Sequence, residues 1–139
     1  MNDLADIIDS DLLPPLLQDF ERLIGLPATL DLVRIHGGLR IYIPTPARVH
    51  ADHPFAKIIG VDRLMALAKV YGANDHFTLP KGERAILALR NARITHAYGH
   101  HKTVRELAAE HSLTERQIER IVAAAGVTAP TDRRQSTLF

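Results

Sequence analysis

Apolar residues between positions 103 and 125 recur every three or four residues in two short segments, with a polar stretch between them. This spacing predicts two amphipathic helices joined by a tight turn. The apolar positions that share one face of these helices are Val104, Leu107, Ala108, Ile118, Ile121 and Val122. Leu113, in the turn, can fill the angle between the helices. The pattern favours a helix-turn-helix, although an ordinary pair of antiparallel helices has the same spacing.

Each of these two helices begins with a capping signal. Thr103 is followed three residues later by Glu106, and Thr114 is followed three residues later by Gln117. In a capping box, the threonine hydroxyl accepts the free N–H of the first turn while the acid or amide reaches back to the threonine N–H. The turn of a helix-turn-helix prefers glycine, which tolerates positive φ, and Ser112 stands at that position here.

The outward side chains of the second helix are long and polar, which suits contacts with base edges and phosphates in the major groove. The residues predicted to contact DNA from this helix are Thr114, Glu115, Arg116, Gln117 and Arg120. Contacts with DNA are also predicted for residues that precede it, and the four basic ones among them are predicted to contact phosphates. These residues are Arg90, Arg93, Lys102, Thr103 and Arg105. A long helix from Lys81 to about Tyr98 can serve as the first helix of the same unit.

The front half of the chain has a different pattern. It predicts a helix from Pro14 to Ile24, a second helix from about Pro27 to His36, and a strand over 39–43. Glycine follows each of the two helices, and proline follows the strand. These residues are the usual punctuation at the ends of such elements.

Residues 23–44 align with residues 58–80 at an offset of 35, with one extra residue in the second copy. Each copy contains a glycine, an amphipathic helix, a second glycine, a short strand and a proline. The identical pairs are Ile24 and Ile59, Gly25 and Gly60, Leu32 and Leu67, and Gly37 and Gly72. Between the copies, Asp52 or His53 is placed to cap a turn that opens at Pro54.

Two copies of a helix and a strand are too few for a solenoid, and each strand alone would leave an unpaired edge. We therefore expect strands and helices to pair across a two-fold axis with a second subunit, although a self-contained lobe with four helices and a hairpin is the alternative. Arg40 and Tyr42 share one strand face and can reach DNA if the sheet of the dimer lies against a groove. The residues predicted at the dimer interface are Leu16, Phe20, Leu23, Leu30, Leu32, Leu39, Ile41, Ile43, Leu64 and Leu67.

Charge is distributed unevenly along the 139 residues, although the formal net charge is only +1. Residues 1–80 contain 7 Lys and Arg against 10 Asp and Glu, whereas residues 81–139 contain 10 against 6. The basic half therefore holds the predicted DNA-binding helices. No apolar run is long enough to cross a bilayer, and the acidic N-terminus is unlike a signal peptide, so we expect a cytoplasmic protein with no membrane partner.

The residue types argue against a metal site, a cofactor or an enzyme. The chain contains no cysteine, so a metal would need histidines and carboxylates alone. His50 and His53 lie in a loop, and Gly99 interrupts the helical spacing between His96 and His100. We predict no metal site and no cofactor. The absence of a glycine-rich phosphate loop and of a nucleophile motif predicts a protein that is not an enzyme.

Several segments together resemble a known family. They are LIGLPATLDLV, GGLRIYIP, DHPF followed by IIG, Tyr71-Gly72, Leu79-Pro80, Arg90-Asn91 followed by Ile94 and Tyr98, and VRELAAEHSLTERQIERI. In this order they resemble the Mor family of phage transcription activators, the middle operon regulators and late-gene activators of Mu-like phages and prophages. The resemblance covers roughly residues 13–125.

This resemblance implies a mainly α-helical protein with a small β component. It implies an N-terminal dimerisation domain with an intermolecular sheet, and a C-terminal helix-turn-helix whose recognition helix spans residues 114–122. It further implies a homodimer that binds a dyad-symmetric site at a phage promoter and recruits the host RNA polymerase. The expected organisation is a flexible acidic lead-in (1–12), a dimerisation domain (13–80), a linker helix with the helix-turn-helix (81–126) and a flexible tail (127–139).

The tail contains a second motif. Gln135, Leu138 and Phe139 in QSTLF resemble the Gln-x-x-Leu-Phe peptide with which bacterial proteins dock on the sliding clamp. The alternative function is therefore a DNA-binding replication or recombination accessory protein tethered to the clamp. Five residues also match by chance, and Leu138 and Phe139 can instead pack on the body of the protein.

Overall fold

The computed structural model of the chain describes residues 13–126, so the predicted lead-in and tail lie outside the described residues. Over this range the fold is mostly helical with one small antiparallel sheet, which confirms the predicted class at that level. The helices are α1 (Pro15–Ile24), α2 (Leu26–His36), α3 (Pro54–Ile59), α4 (Val61–Tyr71), α5 (Glu83–Tyr98), α6 (Val104–His111) and α7 (Glu115–Ala124), and the strands are β1 (Arg40–Ile41) and β2 (Phe77–Thr78). The chain forms two compact units, which meet in sequence between Leu87 and Ala88.

The N-terminal unit contains two copies of a helix pair joined by a single glycine. Gly25 joins α1 to α2 with φ +86° and ψ 161°, and Gly60 joins α3 to α4 with φ +91° and ψ 156°. In both copies the glycine N–H donates to the carbonyl four residues earlier. This backbone conformation is essentially restricted to glycine. The repeat therefore begins one helix earlier than the sequence alignment indicates.

The strands of the two copies pair with each other inside one chain. Arg40 lies opposite Thr78, and Ile41 lies opposite Phe77. The sequence argument treated each strand as lacking a partner within its own chain, and this step was wrong because the second copy supplies that partner. β1 is also shorter than the predicted strand over 39–43. Pairing of these strands alone therefore does not require a second subunit.

The core of this unit contains most of the residues predicted at the dimer interface. Contacts of α1 with α2 and α4, and of α3 with α2 and α4, bring the apolar faces of the copies together. The predicted interface residues that are buried in the chain's own core are Phe20, Leu30, Leu32, Ile41, Ile43, Leu64 and Leu67. Leu16 and Leu23 are half-buried, whereas Leu39 is 54% exposed. Among these ten residues, only Leu39 is on the open surface of the described chain.

A polar contact ties the second copy to the first within this core. The hydroxyl of Tyr71 in α4 donates to Asp19 Oδ2 in α1 at 2.7 Å, and Arg22 pairs with Asp19 Oδ1 at 2.6 Å. The Tyr71 ring also packs against the rings of Phe20 and Phe77, at centroid distances of 5.4 and 5.7 Å. Burial, and then the hydrogen bond to Asp19, raise the pKa of Tyr71 to about 12. Hydrogen bonds from Tyr71 and Arg22 lower the pKa of the Asp19 carboxyl.

The loop between the copies ends in a histidine cap. Of the two candidates in the sequence, His53 is the N-cap of α3, and its Nδ1 accepts the Phe55 N–H at 3.1 Å. Burial, and then the neighbouring His50, lower the pKa of His53. Both effects favour the neutral imidazole, which is the form whose Nδ1 can accept this hydrogen bond.

Candidate nucleic-acid interface

The C-terminal unit packs the end of α5 together with α6 and α7 around one apolar cluster. The buried members of this cluster are Ile94, Leu107, Ala108, Ile118 and Val122. Leu113 in the turn and Ile121 on α7 pack against it and are partly buried. The sequence pattern predicted the α6 and α7 members, and Ile94 completes the cluster from α5. Three helices around a single core hold the outer face of α7 in a fixed orientation.

Both predicted capping boxes are present. Thr103 Oγ1 accepts the Glu106 N–H at 3.0 Å, and Glu106 Oε1 accepts the Thr103 N–H at 2.9 Å. At the start of α7, Thr114 Oγ1 accepts the Gln117 N–H at 3.1 Å, and Gln117 Oε1 accepts the Thr114 N–H at 2.9 Å. Each box satisfies two polar groups that a helix start would otherwise leave to solvent.

The turn between α6 and α7 contains Ser112 in the left-handed region, with φ 57° and ψ 43°. Its N–H and that of Leu113 both donate to the Ala108 carbonyl, the latter at 3.0 Å. A serine thus adopts the conformation for which this turn normally prefers glycine, at the cost of some backbone strain. The turn closes tightly enough for Leu113 to reach the core.

The start of α7 presents an exposed polar face opposite its buried residues. Every residue predicted to contact DNA from this helix is exposed, and so is Glu119. Arg116 and Arg120 are four residues apart and therefore lie on the same side of the helix. Gln117 is exposed too, but its Oε1 is engaged by the capping box, which restricts the side chain to the helix start. Arg116 and Arg120 are exposed basic side chains on this face that the capping box does not engage.

The predicted phosphate contacts have varied surroundings. Arg105 is exposed on α6, whereas the Thr103 hydroxyl belongs to a capping box. Lys102 forms an ion pair with Glu110, which raises the pKa of the lysine. In α5, Arg90 is half-buried, and its Nε donates to Asn91 Oδ1 at 3.1 Å. Because Lys102 is paired with Glu110, it would have to leave this carboxylate to contact a phosphate.

The charges of three cationic residues act on His111 at the end of α6. The side chain is half-buried, and burial lowers its pKa. The charges of Arg90, Arg93 and Lys102 lower it further, whereas Glu110 opposes this effect. Three of the predicted phosphate-binding residues therefore lower the pKa of the same histidine. Their separation in the sequence did not indicate this. Ile94 of α5 and Leu107 of α6 belong to the same apolar cluster, so the two helices lie close together.

Among residues 13–126, no group of three or more His, Asp or Glu side chains is close enough to hold a metal ion. His96 and His100 stack at a centroid distance of 4.2 Å, and His100 Nδ1 lies 2.8 Å from the His96 carbonyl oxygen. Over the same range, no helix combines the length and apolar character needed to cross a membrane.

Comparisons with known proteins identify the family. Neither the search of curated proteins nor that of solved structures gave a match. Residues 46–138, more than half of the chain, match the Mor transcription activator family. The matched range includes the second helix-strand copy and helices α5, α6 and α7. The chain therefore belongs to the Mor transcription activator family.

Proposed function

We propose that this protein is a phage or prophage activator that binds a dyad-symmetric promoter site as a homodimer and recruits the host RNA polymerase. It would act in the cytoplasm of the bacterial host, at the nucleoid. The family assignment supports activation of transcription. The observation that supports DNA binding is the exposed start of α7, where both hydrogen bonds of the capping box are formed. Arg116 and Arg120 lie on one side of this helix.

In this proposal α7 enters the major groove with its N-terminal end. Arg116 and Arg120 donate to the O6 and N7 acceptors of guanine, a bidentate contact worth about 1–3 kcal/mol of discrimination against the wrong base. The Thr114 hydroxyl and Arg105 contact phosphates on either side of the groove. The cations around His111 add phosphate contacts that fix the register of the helix without reading sequence.

Dimerisation, in the same proposal, uses apolar side chains that the folded chain leaves exposed. Ile35 is 57% exposed, Val70 is 51% exposed, and Leu39 follows the end of α2. Ile35 and Val70 occupy equivalent positions in the two repeat copies, at the offset of 35 residues. A pair of equivalent apolar positions suits an interface that is shared by two copies of the chain.

The exposed face of the hairpin is a further candidate for contact with DNA. Arg40, Tyr42, His76 and Thr78 are exposed, and the rings of Tyr42 and His76 lie 5.0 Å apart. Ile41 is buried behind them. We assign Arg40 to a phosphate contact and Tyr42 to packing against the sugar-phosphate backbone, because a two-stranded ribbon fits a DNA groove.

Footprinting on the DNA of the adjoining phage or prophage, combined with a promoter reporter, tests the proposal. Protection is expected over two half-sites whose centres are about 34–36 Å apart, or a multiple of that distance. Transcription from the protected promoter should rise only when host polymerase is present. Binding without any sequence preference, or a footprint that lowers transcription, would contradict activation at a specific site.

The sliding-clamp hypothesis depends on sequence alone, because Gln135, Leu138 and Phe139 lie outside the described residues. It predicts that immobilised clamp retains the full chain and releases a variant with Leu138→Ala and Phe139→Ala. Equal retention of both chains would remove the clamp as a partner. Clamp binding without promoter activation would favour the accessory-protein function over the activator.

A further inference from the structure

The N-terminal unit contains a basic cavity of about 510 Å³ between the end of α2 and the start of α5. Its volume is within the range of about 300–1,000 Å³ that is usual for small-molecule sites. Three cationic residues line it, namely Arg34, Lys81 and Arg84. All three are exposed, so a ligand can reach them from solvent. A cavity with this lining favours an anionic ligand.

The charge of the lining suits a phosphate better than a carboxylate. Glu83 also lines the cavity and accepts a hydrogen bond from Arg34 Nε at 3.0 Å. With this carboxylate included, the charged residues of the lining have a formal net charge of +2. A phosphate monoester carries a charge of about −1.5 to −2 at pH 7, whereas a carboxylate carries a single negative charge. A phosphate monoester can therefore balance the lining on its own.

The basic side chains keep hydrogen-bond donors for such a ligand. The contact with Glu83 uses Nε of Arg34, so the two terminal nitrogens of the guanidinium can donate to phosphate oxygens. The aliphatic stem of Lys81 lies against Gly38, where a Cβ would be 2.7 Å from Lys81 Cε. Glycine at this position therefore allows the lysine stem to lie along the backbone that follows α2.

The cavity also has an apolar part. Val33 and Ala85 line it, the first buried and the second half-buried. Inorganic phosphate has no apolar group that could cover these side chains, whereas an organic phosphate ester can remove them from water. The apolar lining therefore favours a phosphate ester over the free ion.

We propose that this cavity binds a small organic phosphate. The phosphate group contacts Arg34, Lys81 and Arg84, and the organic group covers the apolar lining. The concave shape favours a small molecule over the phosphates of a DNA backbone. None of the residues proposed to contact DNA lines the cavity, so this site goes beyond the proposed activator function and does not depend on it.

Titration of the full chain with phenyl phosphate, followed by nuclear magnetic resonance at constant ionic strength, tests the proposal. The amide signals of Gly37, Gly82 and Ala85 should shift and saturate, and the shifts give Kd. Inorganic phosphate lacks the apolar group and benzoate lacks the second negative charge. Each should therefore bind at least about tenfold more weakly than phenyl phosphate. Equal binding of either anion would overturn the assignment to an organic phosphate.

Two charge variants provide the matched comparison. Lys81→Gln combined with Arg84→Gln removes two of the three cations and keeps the ion pair of Arg34. This variant should raise Kd for phenyl phosphate at least about tenfold. Lys57→Gln combined with Lys69→Gln removes the same charge from exposed positions outside the cavity and should leave Kd unchanged. Both variants should retain the dispersed amide signals of the folded chain.

The single variant Arg84→Gln should raise Kd in the same direction by a smaller factor. Equal Kd in the two double variants, or shifts centred on other amides, would overturn the proposal. Shifts of the three amides with a DNA duplex but not with phenyl phosphate would assign the cations to the DNA backbone and also overturn it.

Discussion

Arg116 and Gln117 are neighbours at the start of α7, but their surroundings differ. Gln117 Oε1 accepts the Thr114 N–H at 2.9 Å, so its side chain stabilises the helix that carries it. Arg116 is exposed and lies one turn before Arg120 on the same side of α7. The sequence placed both residues on the DNA-binding face, because helical spacing reveals exposure. The spacing Thr-x-x-Gln also predicted the cap, but it did not show that a base contact by Gln117 would compete with the cap for the same amide.

This difference predicts separate effects for two alanine variants. Arg116→Ala should remove most of the preference for the promoter site, about 1–3 kcal/mol per half-site, with little change in the free energy of unfolding. Gln117→Ala should instead lower the free energy of unfolding by about 0.5–1 kcal/mol, because one half of the capping box is lost. Fluorescence anisotropy with specific and scrambled duplexes, together with urea unfolding, measures both quantities. Arg48→Ala, at an exposed position in the N-terminal unit, is the control. Normal selectivity in the Arg116 variant would remove this residue from the interface.

Tyr71 gives the protein a predictable dependence on alkaline pH. Its pKa is about 12 in the folded chain, against about 10 in an unfolded one. The folded state therefore holds the proton more tightly, and the free energy of unfolding should fall as pH rises from about 10 to about 12. Tyr71→Phe should cost about 1 kcal/mol at neutral pH through the lost hydrogen bond to Asp19. The difference in the free energy of unfolding between the parent and the Tyr71→Phe variant should then narrow as pH rises from about 10 to about 12. A constant difference would contradict a raised pKa of Tyr71.

At the scale of elements, the two helix pairs depend on glycines with the same unusual backbone. A Cβ at Gly25 or Gly60 would meet no heavy atom closer than 3.9 Å, so steric conflict with neighbours is not the reason for glycine. The positive φ combined with an extended ψ is the reason, and other residues pay about 1–3 kcal/mol to adopt it. Gly25→Ala and Gly60→Ala should therefore lower the free energy of unfolding by similar amounts. Urea unfolding measures this, and an unchanged value at either position would show that the conformation is not required.

The elements also show which parts of the fold the sequence could predict. The starts of α6 and α7 were predictable because Thr103, Glu106, Thr114 and Gln117 satisfy their hydrogen bonds within one turn. The pairing of β1 with β2 was not, because residues 40 and 78 are brought together only by the packing of the two repeat copies. The effect of Arg90 and Arg93 on the pKa of His111 was not predictable for the same reason, since these residues lie on a different helix from His111.

At the scale of the whole molecule, the structure changes which residues are available for the expected dimer interface. The predicted interface used apolar residues because their spacing indicates burial, but spacing does not reveal whether the covering surface belongs to the same chain. The structure uses Phe20, Leu32 and Leu67 in the chain's own core, where all three are fully buried. A dimer of folded chains must therefore use residues that remain exposed. Ile35 and Val70, which the repeat relates to each other, are the strongest candidates.

A paired substitution tests this interface without disturbing the fold. Ile35→Glu combined with Val70→Glu places charges at exposed positions, so the free energy of unfolding of the single chain should change little. The free energy of dimer association should become less favourable by at least about 1.4 kcal/mol. Sedimentation equilibrium would measure this change as about a tenfold rise in Kd. Lys57→Glu combined with Lys69→Glu introduces the same two side chains at other exposed positions and should leave Kd unchanged. By contrast, Leu67→Ala should cost about 2–5 kcal/mol of folding stability because it creates a cavity in the core. An unchanged Kd in the Ile35 and Val70 variant would exclude this surface as the dimer interface.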